Sequence, residues 1–234
     1  ILAQLRKYWT TSLTSPTTSA SEPPFIHTWH NTASAPTARP TKTAPYHGGM
    51  LAIRAPYSRM VRETINDPRG WGRFGGAVLG NPTFGIAIIS IYATGKGSRE
   101  NDWFQQIMKT QNLLGDDDDQ FQSPLALLRH DLTLLTNRLE LDNIPTIMCG
   151  DWNVCFRDES RQNGDLPHYN SPEWLKWFRL REEDPFVNAF YLRGHPPAYT
   201  FNRAGSTSDL DAFIGRQSFL DAIVTKNAAS ASAM

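Results

Sequence analysis

A carboxylate and a carboxamide two residues apart, Asp151 and Asn153, form the pair whose types and spacing could do chemistry. They follow a short apolar run that rises from Pro145 and is interrupted by Gly150, which is typical of a buried strand that delivers polar groups to the rim of a sheet. In extended chain, residues i and i+2 share a face, so both side chains would point at one spot. Such an oxygen-rich pair suits a hard divalent cation, or a phosphate held by one. The structural alternative is a capped turn after a strand, because Asp and Asn both favour turns.

Length and charge limit the number of domains and the ways in which the chain could bind a phosphate-bearing substrate. The 234 residues suffice for one sizeable α/β domain or two small ones. The 23 basic and 23 acidic residues balance to a formal net charge of zero. A phosphate-bearing substrate would therefore have to be gripped by a local patch or by metal ions, since the chain as a whole is not basic.

Cysteine usage and hydropathy indicate a compartment. Cys149 and Cys155 flank the central stretch, and we expect two reduced, partly buried thiols and no disulfide framework. No apolar run approaches the roughly 20 residues of a membrane span, and residues 1–9 lack the pattern of a signal peptide. We expect an intracellular location, nuclear or cytoplasmic, and no membrane partner.

The elements that must position the pair are predicted to be strands alternating with helical blocks, which indicates α/β layers with helices covering a sheet. Residues 25–30 alternate apolar and polar as in an edge strand, and Gly48 and Gly49 lead into a short strand. A hairpin and three later strands complete the set, at residues 75–79 with 84–92, 198–201, 208–214 and 222–224. The second hairpin strand is apolar on both faces, as expected of a central strand covered above and below.

Two helices are predicted before the central stretch. The first runs from about residue 100 to 114, and the second begins with Ser123 as N-cap and Pro124 at its first position. The second carries leucines at spacings of three and four, a stripe that packs against a sheet or another helix: Leu125, Leu128, Leu132, Leu135 and Leu139.

Two further clusters are assigned to structure. A short helix that opens at residues 171–172 carries Trp174, Trp177 and Phe178, which we expect in the core and not as a base-stacking platform. Four consecutive aspartates at residues 116–119 repel one another, so an exposed loop is expected there, not a metal site.

The residues 150–153, Gly-Asp-Trp-Asn, resemble the Gly-Asp-aromatic-Asn motif of the endonuclease/exonuclease/phosphatase family, which includes the exonuclease III-like enzymes. The chain also contains segments similar to the family's other motifs, in the family's order: residues 48–53, 88–93, 184–186, 195–196, 199–201 and 208–211. The match thus spans roughly residues 47 to 214. The intervening helices and the Pro-rich segment also resemble the nuclease domains that accompany reverse transcriptases in retroelements.

The resemblance implies a four-layer α/β sandwich, with two mainly antiparallel sheets face to face and helices on the outside. Residues 47–234 would form this domain, and residues 1–46 would be a partial helix and a Pro/Ser/Thr-rich loop region of the same domain. The implied activity is metal-dependent phosphodiester hydrolysis of nucleic acid, DNA rather than RNA, with Mg²⁺ or Mn²⁺ as cofactor. The alternatives are a phosphoesterase on a small molecule or lipid head group, and an inactive remnant or binding module.

Roles follow residue by residue from the same resemblance. Asp151 would position or deprotonate the attacking water, and with Asn153 it would bind the metal. Asn153 would also hold the scissile phosphate, Tyr92 would contact that phosphate, and Asp211 would orient the family's essential histidine.

The resemblance departs from the family at both ends. Nothing before residue 47 matches the family's opening Asn strand or its metal-binding Glu, and none of the six histidines follows an Asp as in the closing Ser-Asp-His. Asp209 also stands where a basic residue is usual. We therefore expect a fragment with both end motifs missing and with impaired activity, because general acid–base groups typically contribute about 10²–10⁴-fold each.

Overall fold

The computed structural model describes residues 25–30, 50–54, 57–81, 83–95, 98–117, 120–153, 172–189, 201–203, 206–208 and 211–223. The strands within these ranges are β1 (Phe25–His30), β2 (Met50–Arg54), β3 (Val61–Asn66), β4 (Phe74–Gly80), β5 (Gly85–Tyr92), β6 (Thr146–Asp151), β7 (Phe186–Asn188), β8 (Phe201–Arg203), β9 (Ser206–Ser208) and β10 (Asp211–Arg216). The helices are α1 (Arg99–Thr110), α2 (Pro124–Leu141) and α3 (Pro172–Phe178), with a 3₁₀ turn at Tyr57–Met60 and a helical segment at 217–223.

A six-stranded sheet in the order β3-β4-β5-β6-β10-β7 organises the fold. Every neighbouring pair is antiparallel except β5 and β6, which run parallel. A parallel pair needs a long crossover connection, and here α1 and α2 supply it. The carboxyl ends of β5 and β6 consequently lie side by side at one edge of the sheet.

Both faces of this sheet are covered, as the apolar run of β5 predicted. Ala87, Ile89 and Ile91 face the larger core, which also contains leucines of α2 and aromatic residues of α3. Ile86 and Ile88 face a smaller cluster with Ile53 of β2. The antiparallel pair β1–β2 therefore lies against the opposite face of the sheet from the helices.

Helix α2 begins as its sequence predicts. The Ser123 side chain accepts a hydrogen bond from the Ala126 amide at 3.1 Å, and Pro124 stands in the first turn. Its buried stripe is wider than the leucine pattern indicated and includes polar positions: Pro124, Leu127, Leu128, Asp131, Leu132, Thr136 and Leu139. Leu125 and Leu135 are only partly buried against the core.

Two smaller assignments also agree with the sequence. Trp174, Trp177 and Phe178 are buried in the larger core, as predicted for the short helix α3. Asp116 and Asp117, which begin the acidic run, are exposed.

Three boundaries differ from the prediction. The first helix ends at Thr110 and not near residue 114, because Asn112 adopts a left-handed conformation (φ 54°). Residues 222–223, expected in a strand, belong to the helical segment 217–223, whose start is held by Asp184: its carboxylate accepts from the Ser218 amide and hydroxyl. Gly150 does not end the central strand, since β6 continues through it to Asp151.

Several predictions lie outside the described residues, among them those for residues 1–9, 48–49, 195–196, 198–200, Cys155 and Asp209. Strands β3 and β7 were not predicted. Among the residues that the structure describes, no helix is long and apolar enough to cross a membrane.

Candidate active site

Three of the four predicted site residues form a row across neighbouring strands. Asp151, the last residue of β6, is paired with Tyr92 at the end of β5 and with Asp211 at the start of β10. Residues directly opposite each other in a sheet point their side chains to the same face, and in an antiparallel pair such as β6 and β10 their Cβ atoms are about 4.5–5.5 Å apart. The register therefore brings Tyr92, Asp151 and Asp211 together, although 119 sequence positions separate the first from the last.

This row lies on the face away from the helices. In β10, the alternate residues Ala212 and Ile214 are buried in the larger core, so Asp211 faces the other way. In β5, Ile91 faces that core and Tyr92 is half-buried on the opposite side. The site thus lies on the same face of β5 as Ile86 and Ile88, which pack against the cluster with Ile53 of β2, but further along the strand.

Asp151 has the strongly perturbed carboxyl group of the site. Burial raises its pKa from 3.8 to about 6, and the neighbouring Asp211 carboxylate adds to this rise. A hydrogen bond from the Asn153 amide to Asp151 Oδ1 (2.9 Å) opposes the rise by favouring the ionised form. A carboxylate that is both desolvated and close to a second carboxylate is a favourable place for a cation or a proton.

Asn153 is close to Asp151 for a different reason from the one that its spacing suggested. It lies beyond the strand in a left-handed conformation (φ 49°), which Asn tolerates better than most residues. Its amide folds back onto the Asp151 carboxylate in a turn closed by the side chain. The turn after the strand, which the sequence offered as the alternative to a functional pair, is therefore present. The same turn holds Asn153 close to the Asp151 carboxylate.

The segment that follows β5 holds Asn153 in place. The Asn153 Nδ2 donates to the Ala93 carbonyl at 2.5 Å, and the Ala93 amide donates to the Asp151 carbonyl at 2.8 Å. At Gly95 a Cβ atom would lie 3.3 Å from Asn153 Oδ1, so a side chain there would press on the carboxamide. Sequence reasoning identified neither Ala93 nor Gly95, although both closely follow the predicted site residue Tyr92.

Gly150 is needed because two strands approach each other closely. Its φ of 140° lies in a region that side chains rarely adopt, and a Cβ atom there would come within 2.0 Å of the Ile91 carbonyl oxygen. The glycine of the motif therefore permits the parallel pairing that sets Asp151 beside Tyr92.

Trp152 anchors the motif from the other side. It is fully buried and contacts Trp174 and Phe178 edge-on, with ring centroids 5.2 and 5.3 Å away. Edge-to-face pairs of this kind add to the burial of large apolar surface. Because Trp152 is fixed in the core, its two polar neighbours are turned toward the opposite face.

The described part of the chain contains no group of three or more His, Cys, Asp or Glu side chains arranged to hold a metal. The donors that it does bring together are the carboxylates of Asp151 and Asp211. The Asn153 carboxamide donates through Nδ2 to the Ala93 carbonyl, and its Oδ1 lies next to Gly95. Mg²⁺ is usually held by one or two carboxylates and keeps several waters or substrate phosphates as its remaining ligands. These donors therefore fit a magnesium ion that completes its shell with substrate.

Comparison with known proteins supports the fold. No protein-family model matches the chain, and no curated protein matches it either. Among solved structures it is similar to an AP endonuclease from Leishmania major (15% identity, TM-score 0.50), covering 73% of this chain and 57% of that one. It is also similar to a 3'-5' exonuclease from Neisseria meningitidis (12%, TM-score 0.43, 65% and 55% covered) and an AP endonuclease from Archaeoglobus fulgidus (17%, TM-score 0.37, 66% and 56% covered).

The chain thus has the mixed α/β fold seen in the Leishmania AP endonuclease, as its motif order predicted. At 15% identity this likeness shows the fold alone, and the chain spans little more than half the length of these structures. The roles of the four site residues stay predictions.

Proposed function

We propose that this protein is a divalent-metal-dependent phosphodiester hydrolase that acts on nucleic acid. The observation that carries the proposal is the row of Tyr92, Asp151 and Asp211 at one strand edge, with Asn153 folded back onto it. The fold shared with an AP endonuclease supports the same reaction class. DNA is the first substrate to test, and retroelement origin stays a prediction.

The residues have distinct parts in the proposed reaction. Without a bound metal Asp151 has a pKa of about 6, so at neutral pH it is mostly ionised and can either bind a cation or take a proton from an attacking water. The Tyr92 hydroxyl can donate to a phosphate oxygen, and Asn153 can hold the same phosphate through its carboxamide. A Mg²⁺ or Mn²⁺ ion bound by Asp151 and Asn153 would neutralise the negative charge that develops on the phosphate.

The Asn153 carboxamide is held in one orientation before substrate binds, which suits its proposed role of holding the phosphate. With Nδ2 bound to the Ala93 carbonyl, the carboxamide cannot rotate freely, so little entropy remains to be lost when substrate binds. Asp211 adds a second negative charge beside Asp151, which favours a cation between protein and phosphate.

The test is cleavage of a labelled DNA duplex, with and without an abasic-site analogue, in Mg²⁺, in Mn²⁺ and in excess EDTA. We expect metal-dependent cleavage that falls at least about 10²-fold in Asp151→Asn and in Asn153→Ala. Asp116→Asn, which removes a carboxylate from an exposed loop, is the matched control and should cleave like the wild type.

Parallel reactions separate the alternatives. Single-stranded RNA, bis-p-nitrophenyl phosphate and p-nitrophenyl phosphate report on RNA cleavage, small diesters and monoesters respectively. Cleavage that survives unchanged in Asp151→Asn would remove Asp151 from the mechanism, and metal-stimulated release from the monoester alone would replace the nuclease by a phosphomonoesterase.

A further inference from the structure

A buried cluster of charged residues lies at the same end of the sheet as the site. The Arg73 guanidinium donates to both oxygens of Asp67, at 2.9 and 2.7 Å, and to Asp131 of α2 at 2.6 Å. The side chains of these three residues are at most 3% exposed. Arg69, which is more exposed, contacts Asp131 from outside this group at 2.8 Å. We call Asp67, Arg73 and Asp131 the Arg73 cluster.

A buried ionic cluster often stabilises a core no more than apolar residues of the same size would. Desolvation opposes the charged forms, yet the pKa of Asp67 is lowered and that of Arg73 is raised, because each is satisfied by the other. Replacing buried ion clusters by apolar residues is often neutral or stabilising in other proteins. Unlike apolar packing, the ionic cluster fixes the positions of its members by directional hydrogen bonds. One of these members, Arg73, is hydrogen-bonded through its backbone to the strand that carries Tyr92.

The connection runs through backbone hydrogen bonds. Asp67 accepts from the Arg73 amide (3.1 Å), so the cluster fixes the Arg73 backbone as well as its side chain. The Arg73 carbonyl accepts from the Tyr92 amide at 2.8 Å. The next residue, Ala93, donates to the Asp151 carbonyl and accepts from Asn153 Nδ2.

We propose that the Arg73 cluster is a positioning device that fixes the Tyr92–Ala93 backbone and, through it, Asn153 and Asp151. Its catalytic consequence rests on the proposed hydrolase function, but its structural consequence does not. In this role Arg73 acts only through the backbone that it holds, and substrate contact is left to the residues of the site.

Two variants test the proposal. In the triple variant Arg73→Met, Asp67→Asn, Asp131→Leu the cluster has no charge, and the single oxygen that Asp67→Asn retains cannot accept from both the Arg69 and the Arg73 amides as the two carboxylate oxygens do. In Arg73→Lys the charge remains, but an ammonium is a point charge and cannot bridge both carboxylates in the same geometry. The matched control is Arg216→Met. It breaks an ion pair in which Arg216 Nε and Nη2 both donate to Glu140 Oε1 on the same helix α2, at the opposite end of β10 from Asp211.

Amide hydrogen exchange gives a measurement that does not depend on activity. We expect the Tyr92 and Ala93 amides to exchange at least about ten-fold faster in both cluster variants, relative to amides in the middle of β4 and β5. In Arg216→Met all these amides should change together. In the cleavage assay, the cluster variants should lose about 10²-fold in kcat with KM within about two-fold.

The outcomes are distinguishable. If Tyr92 and Ala93 exchange in step with the middle of the sheet in the cluster variants, the cluster only stabilises the fold and the proposal is overturned. If wild-type protein cleaves nothing, the hydrolase proposal fails while the exchange data still decide the positioning. If the triple variant does not fold, Arg73→Lys decides in the same way.

Discussion

Asp151→Asn is expected to make the folded protein more stable at neutral pH while abolishing the proposed activity. The reason is that the fold holds this carboxylate where ionisation is unfavourable, half-buried and beside Asp211. Asn has the same shape, has no charge and keeps an oxygen that can accept the hydrogen bond from the Asn153 amide. The substitution therefore removes the electrostatic cost and retains the turn.

The magnitude follows from the two pKa values. The carboxyl has a pKa of 3.8 in the unfolded chain and about 6 in the folded protein. A difference of about two pH units corresponds to about 3 kcal/mol, at about 1.4 kcal/mol per unit. Because Asp151 is partly exposed and water screens part of the interaction, we expect a gain of about 1–3 kcal/mol.

The difference in free energy of unfolding between Asp151→Asn and the wild type should depend on pH in a way that identifies the Asp151 carboxyl as its cause. Below pH 3.8 the carboxyl is protonated in both states, so wild type and variant should have similar free energies of unfolding. Between pH 3.8 and about 6 the unfolded chain releases its proton first, and the wild type loses stability relative to Asp151→Asn. Above about pH 6.5 the difference should be constant.

Urea denaturation from about pH 4 to about pH 8, followed by tryptophan fluorescence, measures this difference directly. Asp211→Asn should raise the free energy of unfolding at neutral pH by less than Asp151→Asn does. The reason is that the Asp211 carboxylate raises the pKa of Asp151 less than burial does. Asp116→Asn serves as the exposed control and should show no such pH dependence. A stability difference that is absent at neutral pH, or that is largest at the acid end of the range, would refute the reasoning.

Three further substitutions test the structure around the site. Gly150→Ala should destabilise the protein by more than about 4 kcal/mol or prevent its folding, measured by urea denaturation, because its Cβ would lie 2.0 Å from the Ile91 carbonyl oxygen at a φ of 140°; a stable variant would contradict the close approach. Trp152→Ala should cost about 3–5 kcal/mol by the same measurement, since it empties a fully buried position in an aromatic cluster; a cost below about 1 kcal/mol would show that the anchor is not needed. Ser123→Ala should cost about 1 kcal/mol and lower the thermal midpoint, because helix α2 loses the side chain that accepts from the Ala126 amide; Ser123→Asp, another good N-cap, should show no comparable loss.

Much of the fold can be predicted because its local signals agree with one another. The capped start of α2, the hairpin of β4 and β5, and the two-faced apolar strand β5 each follow from residues that are close in sequence. Strand β3, Val61–Asn66, was missed because its alternation mixes charged and apolar residues at an edge of the sheet. The assignment of residues 222–223 failed because the capping carboxylate, Asp184, lies more than thirty positions upstream of Ser218.

The proximity of the four candidate residues could be predicted, but their geometry could not, and their roles stay predictions. Motif order indicated Tyr92, Asp151, Asn153 and Asp211; strand register places the first, second and fourth together, and a turn adds Asn153. The left-handed turn at Asn153 depends on Ala93, which is 60 positions away in sequence. The Arg73 cluster was invisible for the same reason, since Arg73 and Asp131 are 58 positions apart and neither stands in a motif.

Three departures from ordinary structure lie within four residues at the end of β6, as the proposed active site would require. Gly150 and Asn153 have positive φ, and Asp151 between them carries a pKa raised to about 6. Each feature reduces the stability of the fold, and such features persist where surrounding structure holds them for another purpose. Here the surrounding structure is Trp152 on one side and the Ala93 backbone on the other. A strand end that served only to pack could use an apolar residue at position 151, and the fold would be more stable for it.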